Sequence, residues 1–192
     1  MVRLMRLTAL LLCAAACGNP DNLVIGGISA TATIPVALVG DVHSAISGIA
    51  TYNKSGQQIS QRTVVILSNT GGLCDQLGAH PDYFRNPPEA YVAIILYLPL
   101  DRLGTFYVGR DQNTDGEIVA AYAGVAPTPY SALGLNQGIG SSYIILSDVS
   151  PSGANARGSF DLWFGDTVGS IHEFYGRFKT GSCAALQNVL LP

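Results

Sequence analysis

Short stretches in which apolar and polar residues alternate recur along the chain, and this pattern predicts β-strands. In "SFDLWFG" (159–165) every second residue is apolar, beginning at Phe160. "EFYGRFK" (173–179) alternates in the same way, with Phe174 and Phe178 on one face. Each stretch therefore predicts a half-buried strand, and their closeness in sequence predicts that the two strands are neighbours.

The turn between these two stretches predicts their register. In "GDTVGS" a three-residue loop at 167–169, ending in a glycine that supplies a positive φ, places Asp166 opposite Ser170. A longer loop is the alternative, and it would pair Asp161 with Arg177 instead.

The favoured register assigns a packing role to His172. Counting back from the turn places Phe164 opposite His172 and Leu162 opposite Phe174, all on the apolar face. Burial disfavours the charged imidazolium. We therefore expect His172 to be a neutral residue of the core and not a catalytic group.

Two further runs are apolar at consecutive positions, which indicates strands covered on both faces. They are "VVIL" at 64–67 and "VAIIL" at 92–96. Additional strands are predicted at 45–53, 104–109, 117–123 and 143–149. The whole pattern predicts an all-β fold, a single antiparallel β-sandwich of about eight strands without helices, with a closed β-barrel as the alternative.

Two connections are longer than hairpins require, at 74–90 and 124–142. Loops of this length without their own secondary structure are uncommon, and they often bind something or are mobile. Both are therefore candidate locations for a functional site.

The N-terminus has the layout of a secretory signal. Arg3 and Arg6 precede an apolar run at 7–16, which is too short for a bilayer span of about 20 residues. "AAAC", ending at Cys17, resembles the lipobox of bacterial lipoproteins, with Ala14 where leucine is usual. The resemblance implies that 1–16 is a signal peptide.

The same resemblance implies a lipid anchor on Cys17. In that family the cysteine becomes the mature N-terminus and carries a diacylglycerol thioether and acyl chains such as palmitate, so the membrane is the implied partner. By analogy with lipoprotein sorting, Gly18 in place of an aspartate favours the outer membrane. The alternative is an ordinary signal peptide cleaved after Ala16, which leaves Cys17 as a free thiol.

Length and composition predict one domain in the mature chain. Residues 17–40 are assigned to the lipidated N-terminus, a linker and a candidate first strand, and residues 41–192 to the β-sandwich. The chain is 48% hydrophobic and 12% charged, with a net charge of -3. Because it has no basic stripe and no glycine-rich phosphate loop leading into a helix, we expect neither nucleic-acid nor nucleotide binding.

The cysteines predict one disulfide. With Cys13 lost in the signal peptide and Cys17 lipidated, Cys74 and Cys183 are left as a single pair in an oxidising compartment. Two separate buried thiols are the alternative. No spacing of cysteine and histidine indicates a zinc site.

"DQNTDGE" is the strongest local motif for a metal. Asp111, Asn113 and Asp115 match the first half of an EF-hand loop, but the twelfth place holds Tyr122 and the flanks resemble strands. A polar hairpin turn is preferred, with calcium as the alternative. No cofactor is otherwise indicated.

No standard motif for nucleophilic catalysis is present. The favoured function is therefore a non-enzymatic, lipid-anchored protein of the cell envelope, structural or binding, whose partner is a protein or a glycan. Nine tyrosines and Trp163 are consistent with binding of either. The alternative is an exported hydrolase built from the two long loops, with Asp75, His80 and Asp82 as its candidate residues.

Overall fold

The computed structural model describes eight segments of the chain. They are residues 24–26, 42–54, 57–88, 91–100, 102–108, 120–125, 142–165 and 171–191. In chain order the strands are β1 (Val24–Gly26), β2 (Ser44–Lys54), β3 (Gln57–Ser68), β4 (Val92–Pro99), β5 (Gly104–Tyr107), β6 (Ala120–Val125), β7 (Tyr143–Asp148), β8 (Arg157–Gly165), β9 (Ile171–Lys179) and β10 (Gly181–Ser182). The described residues also include helix α1 (Leu73–Ala79) and a C-terminal 3-10 helix (Ala184–Asn188).

The strands form two open sheets, which confirms the all-β prediction and favours the sandwich over the closed barrel. Sheet I has the order β1-β9-β8-β7-β5, and sheet II has the order β10-β2-β3-β4-β6. Four strands of each sheet correspond to the eight predicted strands, and β1 and β10 add a short strand at one edge of each. The pairing is antiparallel except between β10 and β2, which are parallel.

The register of the β8–β9 pair is the one predicted from the turn. Phe164 lies opposite His172, and Arg177 pairs with Ser159 and not with Asp161, so the competing register is wrong. The expected Asp166–Ser170 pair lies outside the described residues, as does the side chain of His172. The packing role of His172 therefore stays a prediction.

The apolar faces of the two sheets meet in a first core. Its buried side chains come from strands of both sheets and from one connection: Val65, Leu67, Ile94, Leu96, Leu98, Phe106, Ile144, Leu146, Ala156, Phe160, Leu162 and Phe178. The rings of Phe160 and Phe178 stack with centroids 6.4 Å apart. Gly158 makes room for this arrangement, because a Cβ there would meet the backbone oxygen of Ile145 and lie 2.7 Å from Phe178 Cζ.

A second core covers the outer face of sheet II. We call the covering layer the cap: it consists of α1, the connection at 80–88, Tyr91 and the C-terminal segment 183–191. Its apolar side chains, including Leu73, Leu77 and Leu186, pack against the outward residues of β3 and β4. The prediction that these two strands are covered on both faces is thereby confirmed.

Helix α1 corrects the expectation of a fold without helices. It follows Gly72, whose φ of 63° lies in the left-handed region that glycine adopts readily. Leu73 and Leu77 are four residues apart and both are buried, which is the spacing of one helix face. Among the described residues no helix is long and apolar enough to cross a membrane.

Buried hydrogen bonds connect the two sheets near the cap. Ser47 Oγ lies 2.6 Å from Thr180 Oγ1 and accepts a bond of 3.2 Å from the backbone N–H of Ala156. The backbone N–H of Cys183 donates to the backbone oxygen of Ser47 at 2.8 Å. These bonds anchor the start of the C-terminal segment on β2.

Candidate functional site

Cys74 and Cys183 form a disulfide, as the sequence predicted. Their sulfur atoms are 2.08 Å apart and their Cα atoms 5.6 Å apart. The bond joins α1 to the C-terminal segment, so it lies within the cap. A bonded thiol cannot act as a nucleophile, and the role of this pair is to hold two parts of the cap together.

The connection at 74–90 places the candidate residues of the hydrolase hypothesis at the surface of the cap. Asp75 and His80 are exposed, and Asp82 is half-buried. The side-chain N–H of Asn86 donates to Asp82 Oδ2 at 2.8 Å. This bond, a backbone hydrogen bond and the charge of His80 lower the pKa of Asp82 against a smaller opposing effect of burial.

The apolar part of the same connection points into the molecule. Tyr83, Phe84 and Tyr91 are buried and pack as a cluster with ring centroids 5.4 to 5.5 Å apart. Burial, with a contribution from nearby Tyr83, raises the pKa of Tyr91 to about 12. The first long loop therefore contributes mainly to the cap.

The outer face of sheet I carries no cap within the part of the chain that the structure describes. Phe106, Ile144, Phe160 and Phe178 point into the first core. Because side chains alternate along a strand, the neighbouring residues of these four strands face outwards.

Four outward side chains line up across sheet I. Tyr107 is opposite Tyr143, Tyr143 is opposite Asp161, and Asp161 is opposite Tyr175. We call these four residues the aromatic row. The rings of Tyr107 and Tyr143 are 6.4 Å apart at an angle of 58°, and Tyr175 is 46% exposed. The register thus places one carboxylate between two tyrosines.

The carboxylate of Asp161 is in an unfavourable electrostatic environment. Its Oδ1 atom is buried and has no hydrogen-bond partner among the described residues. Burial raises the pKa of Asp161 above its ordinary value. A donor that reached Oδ1 would supply the hydrogen bond that this atom lacks and would favour the charged carboxylate.

The residues that flank the aromatic row are mostly polar. The next row along the strands contains Thr105, Ile145, Ser159 and Arg177 in register. Trp163, two residues beyond Asp161, is half-buried, and its backbone N–H donates to Ser142 Oγ at 2.8 Å. On the side of Thr105, Ser159 and Arg177 the row therefore has a mostly polar border, and on the other side it adjoins the half-buried Trp163.

The aromatic row was not predicted from the sequence, although part of its signal was available. The predicted β8–β9 register already sets Asp161 opposite Tyr175, and alternation assigns Tyr107 and Tyr143 to the non-core faces of their strands. The missing information was the order of β5, β7 and β8, which sequence patterns do not specify.

The remaining predicted site residues lie outside the described part of the chain. This applies to Cys17 and to the calcium candidates Asp111, Asn113 and Asp115. Among the described residues no group of three or more histidine, cysteine, aspartate or glutamate side chains is arranged to hold a metal.

Comparison with known proteins assigns this chain to no family. The chain has no significant match among protein-family models, curated proteins or solved structures.

Proposed function

We propose that this protein is a non-enzymatic binding module of the bacterial cell envelope, anchored in the outer membrane by a lipid on Cys17. The aromatic row on the outer face of sheet I is its binding surface. The lipobox-like "AAAC" supports the anchor, and the architecture of the two sheets supports the binding role.

The difference between the two outer faces is the observation that carries the binding role. The outer face of sheet II is covered by the cap, which buries large apolar side chains and is closed by the disulfide. In the part of the chain that the structure describes, the outer face of sheet I instead presents two half-buried tyrosines and one exposed tyrosine beside a buried carboxylate oxygen without a hydrogen-bond partner. Unused hydrogen-bonding capacity next to exposed aromatic surface is typical of binding sites.

The arrangement of the connection at 74–90 favours binding over the alternative hydrolase. Asp75 and His80 are exposed, and the carboxylate of Asp82 is bonded to the neighbouring Asn86. A catalytic group needs a second group within hydrogen-bond reach in a cleft that excludes water. The packing of this connection on sheet II accounts for the positions of its residues, and a catalytic role is not needed to explain them.

Mass spectrometry of the mature N-terminus tests the anchor. The chain is expressed with its own N-terminus in a Gram-negative host, and the membrane and soluble fractions are analysed separately. We expect a membrane-bound chain that begins at Cys17 and carries a diacylglycerol and an acyl chain. Cys17→Ser should release the protein from the membrane.

Cys13→Ser is the matched control, because Cys13 lies in the segment that is removed. This variant should be lipidated and membrane-bound like the unmodified chain. An unmodified Cys17 in the soluble fraction, or equal loss of the lipid in both variants, contradicts the anchor.

A further inference from the structure

We infer that the aromatic row binds a saccharide chain, an inference that rests on the proposed function as a binding module. It specifies the chemical class of the ligand and the atoms that recognise it. Three observations support it: the elongated shape of the row, the polar residues along one of its borders, and the partly buried carboxylate of Asp161.

The row has the dimensions of an extended, narrow ligand. It crosses three inter-strand spacings from Tyr107 to Tyr175, which at about 4.8 Å each give a length of about 14 Å. It is bounded on one side by adjacent strand positions that include Thr105, Ser159 and Arg177, and on the other side it adjoins Trp163. A short oligosaccharide has this elongated form.

The chemistry of the row matches a polyhydroxylated ring. Tyrosine rings offer flat apolar faces with a polar edge, which suits the C–H faces of a pyranose surrounded by hydroxyls. The half-buried Asp161 contributes a carboxylate that can accept from ligand hydroxyl groups, and its buried Oδ1 has no hydrogen-bond partner among the described residues. The exposed Arg177, on the same face two residues from Tyr175, supplies donors for ligand oxygens. A saccharide provides donors and acceptors to both groups.

Two other ligand classes fit less well. A protein partner of standard size buries about 800 Å² of each surface around an apolar centre. In the row of residues beside the aromatic row, however, the apolar Ile145 lies between the polar residues Thr105 and Ser159, so it does not extend the apolar surface that such a partner needs. A cationic ligand would gain from Asp161 and the rings but is opposed by the guanidinium of Arg177.

Binding at Asp161 requires a local rearrangement. Since Oδ1 is buried in the free protein, a ligand hydroxyl reaches it only if a covering side chain moves. Trp163 lies two residues away on the same face and is the single tryptophan of the chain. Its fluorescence is therefore the spectroscopic signal chosen to follow binding at the row.

Titration with defined oligosaccharides tests the inference. The mature protein is titrated with cellotetraose, maltotetraose, chitotetraose and mannotetraose, by isothermal calorimetry and by Trp163 fluorescence. We expect saturable binding of at least one of them. Tyr175→Ala should weaken it at least tenfold, or about 1.4 kcal/mol, while Tyr175→Phe, which keeps the ring, should retain most of it.

Leu190→Ala is the matched control, because Leu190 is 45% exposed and lies on the cap, while Tyr175 is 46% exposed. It should leave binding unchanged. If no tetrasaccharide gives heat or a fluorescence change at millimolar concentration, the saccharide assignment is wrong. The same holds if binding occurs but is equally strong in Tyr175→Ala.

The failure of this inference is distinguishable from that of the proposed function. One outcome is that the unmodified chain binds a protein of the envelope, that Tyr175→Ala does not bind it, and that no oligosaccharide binds. This outcome refutes the saccharide as the ligand class but leaves the protein's role as a binding module in place. Absence of lipid on Cys17 refutes the anchor, whatever the titration shows.

Discussion

Removal of the disulfide should be the most damaging change that leaves the sheets themselves untouched. Cys74 and Cys183 are separated by 109 residues. In the chain-entropy account, freeing a loop of this length in the unfolded chain costs about 4 to 5 kcal/mol of stability. Domains of this kind have a total stability of about 5 to 15 kcal/mol. The double variant Cys74→Ala/Cys183→Ala should therefore lose a large share of its free energy of unfolding.

Urea denaturation followed by Trp163 fluorescence measures this loss. Trp163 lies on sheet I, whereas the disulfide lies in the cap over sheet II, so the signal reports the unfolding of the sandwich and not a local change. With a slope of about 2 kcal/mol per molar urea, the midpoint should fall by about 2 M. The slope itself should rise, because an unfolded chain without the cross-link exposes more surface.

Reductant distinguishes the cross-link from side effects of the substitutions. Reduction of the unmodified protein should reproduce the lower midpoint, and the double variant should not respond to reductant. A loss below about 1 kcal/mol in both experiments would refute the assumption that the unfolded chain is free between the two cysteines.

Four further substitutions test individual positions. Thr63→Val should stabilise the protein by about 1 kcal/mol in urea denaturation, because Thr63 Oγ1 is buried and has no hydrogen-bond partner among the described residues. Thr180→Val, which removes a bonded hydroxyl, should destabilise the protein, and destabilisation by both variants would refute the reasoning. Gly158→Ala should lower stability by about 1 to 3 kcal/mol through overpacking against the backbone oxygen of Ile145 and the ring of Phe178, and an unchanged midpoint would show that the strand can shift. Asp161→Asn should raise the melting temperature at pH 7: burial raises the pKa of Asp161, so its favourable contribution is present at acid pH and is lost as the pH rises through the folded pKa. The gain should disappear below about pH 3.9, and a gain independent of pH would contradict it.

The features predicted correctly from the sequence are those determined by local chemistry. The β8–β9 register follows from the residues at 167–169 because a short hairpin loop restricts how the strands can pair. The continuous apolar runs at 64–67 and 92–96 identify strands covered on both faces because alternation is lost there. The disulfide was predictable because, once Cys13 and Cys17 are assigned to the expected signal peptide and lipid anchor, the two remaining cysteines leave one pairing.

The features that were missed depend on contacts between distant parts of the chain. Helix α1 has seven residues, which is too short to be stable alone, and it is helical because Leu73 and Leu77 pack on sheet II. The aromatic row needs β5 beside β7 and β7 beside β8, and β6, which lies between β5 and β7 in sequence, belongs to the other sheet. Alternation identifies which face each tyrosine occupies, but only the strand order brings them into one row.

The position of β1 connects the proposed anchor to the proposed binding surface. This strand pairs with β9 at the edge of sheet I, and Gly26 is in register with Tyr175, the last member of the aromatic row. Gly26 lies nine positions after Cys17, and a fully extended segment of this length spans about 30 Å. If Cys17 carries a lipid, Gly26 of the edge strand β1 can therefore lie at most about 30 Å from the membrane surface. Such a tether restricts the row to ligands close to the membrane that carries the protein, which favours saccharides of the same envelope over distant partners.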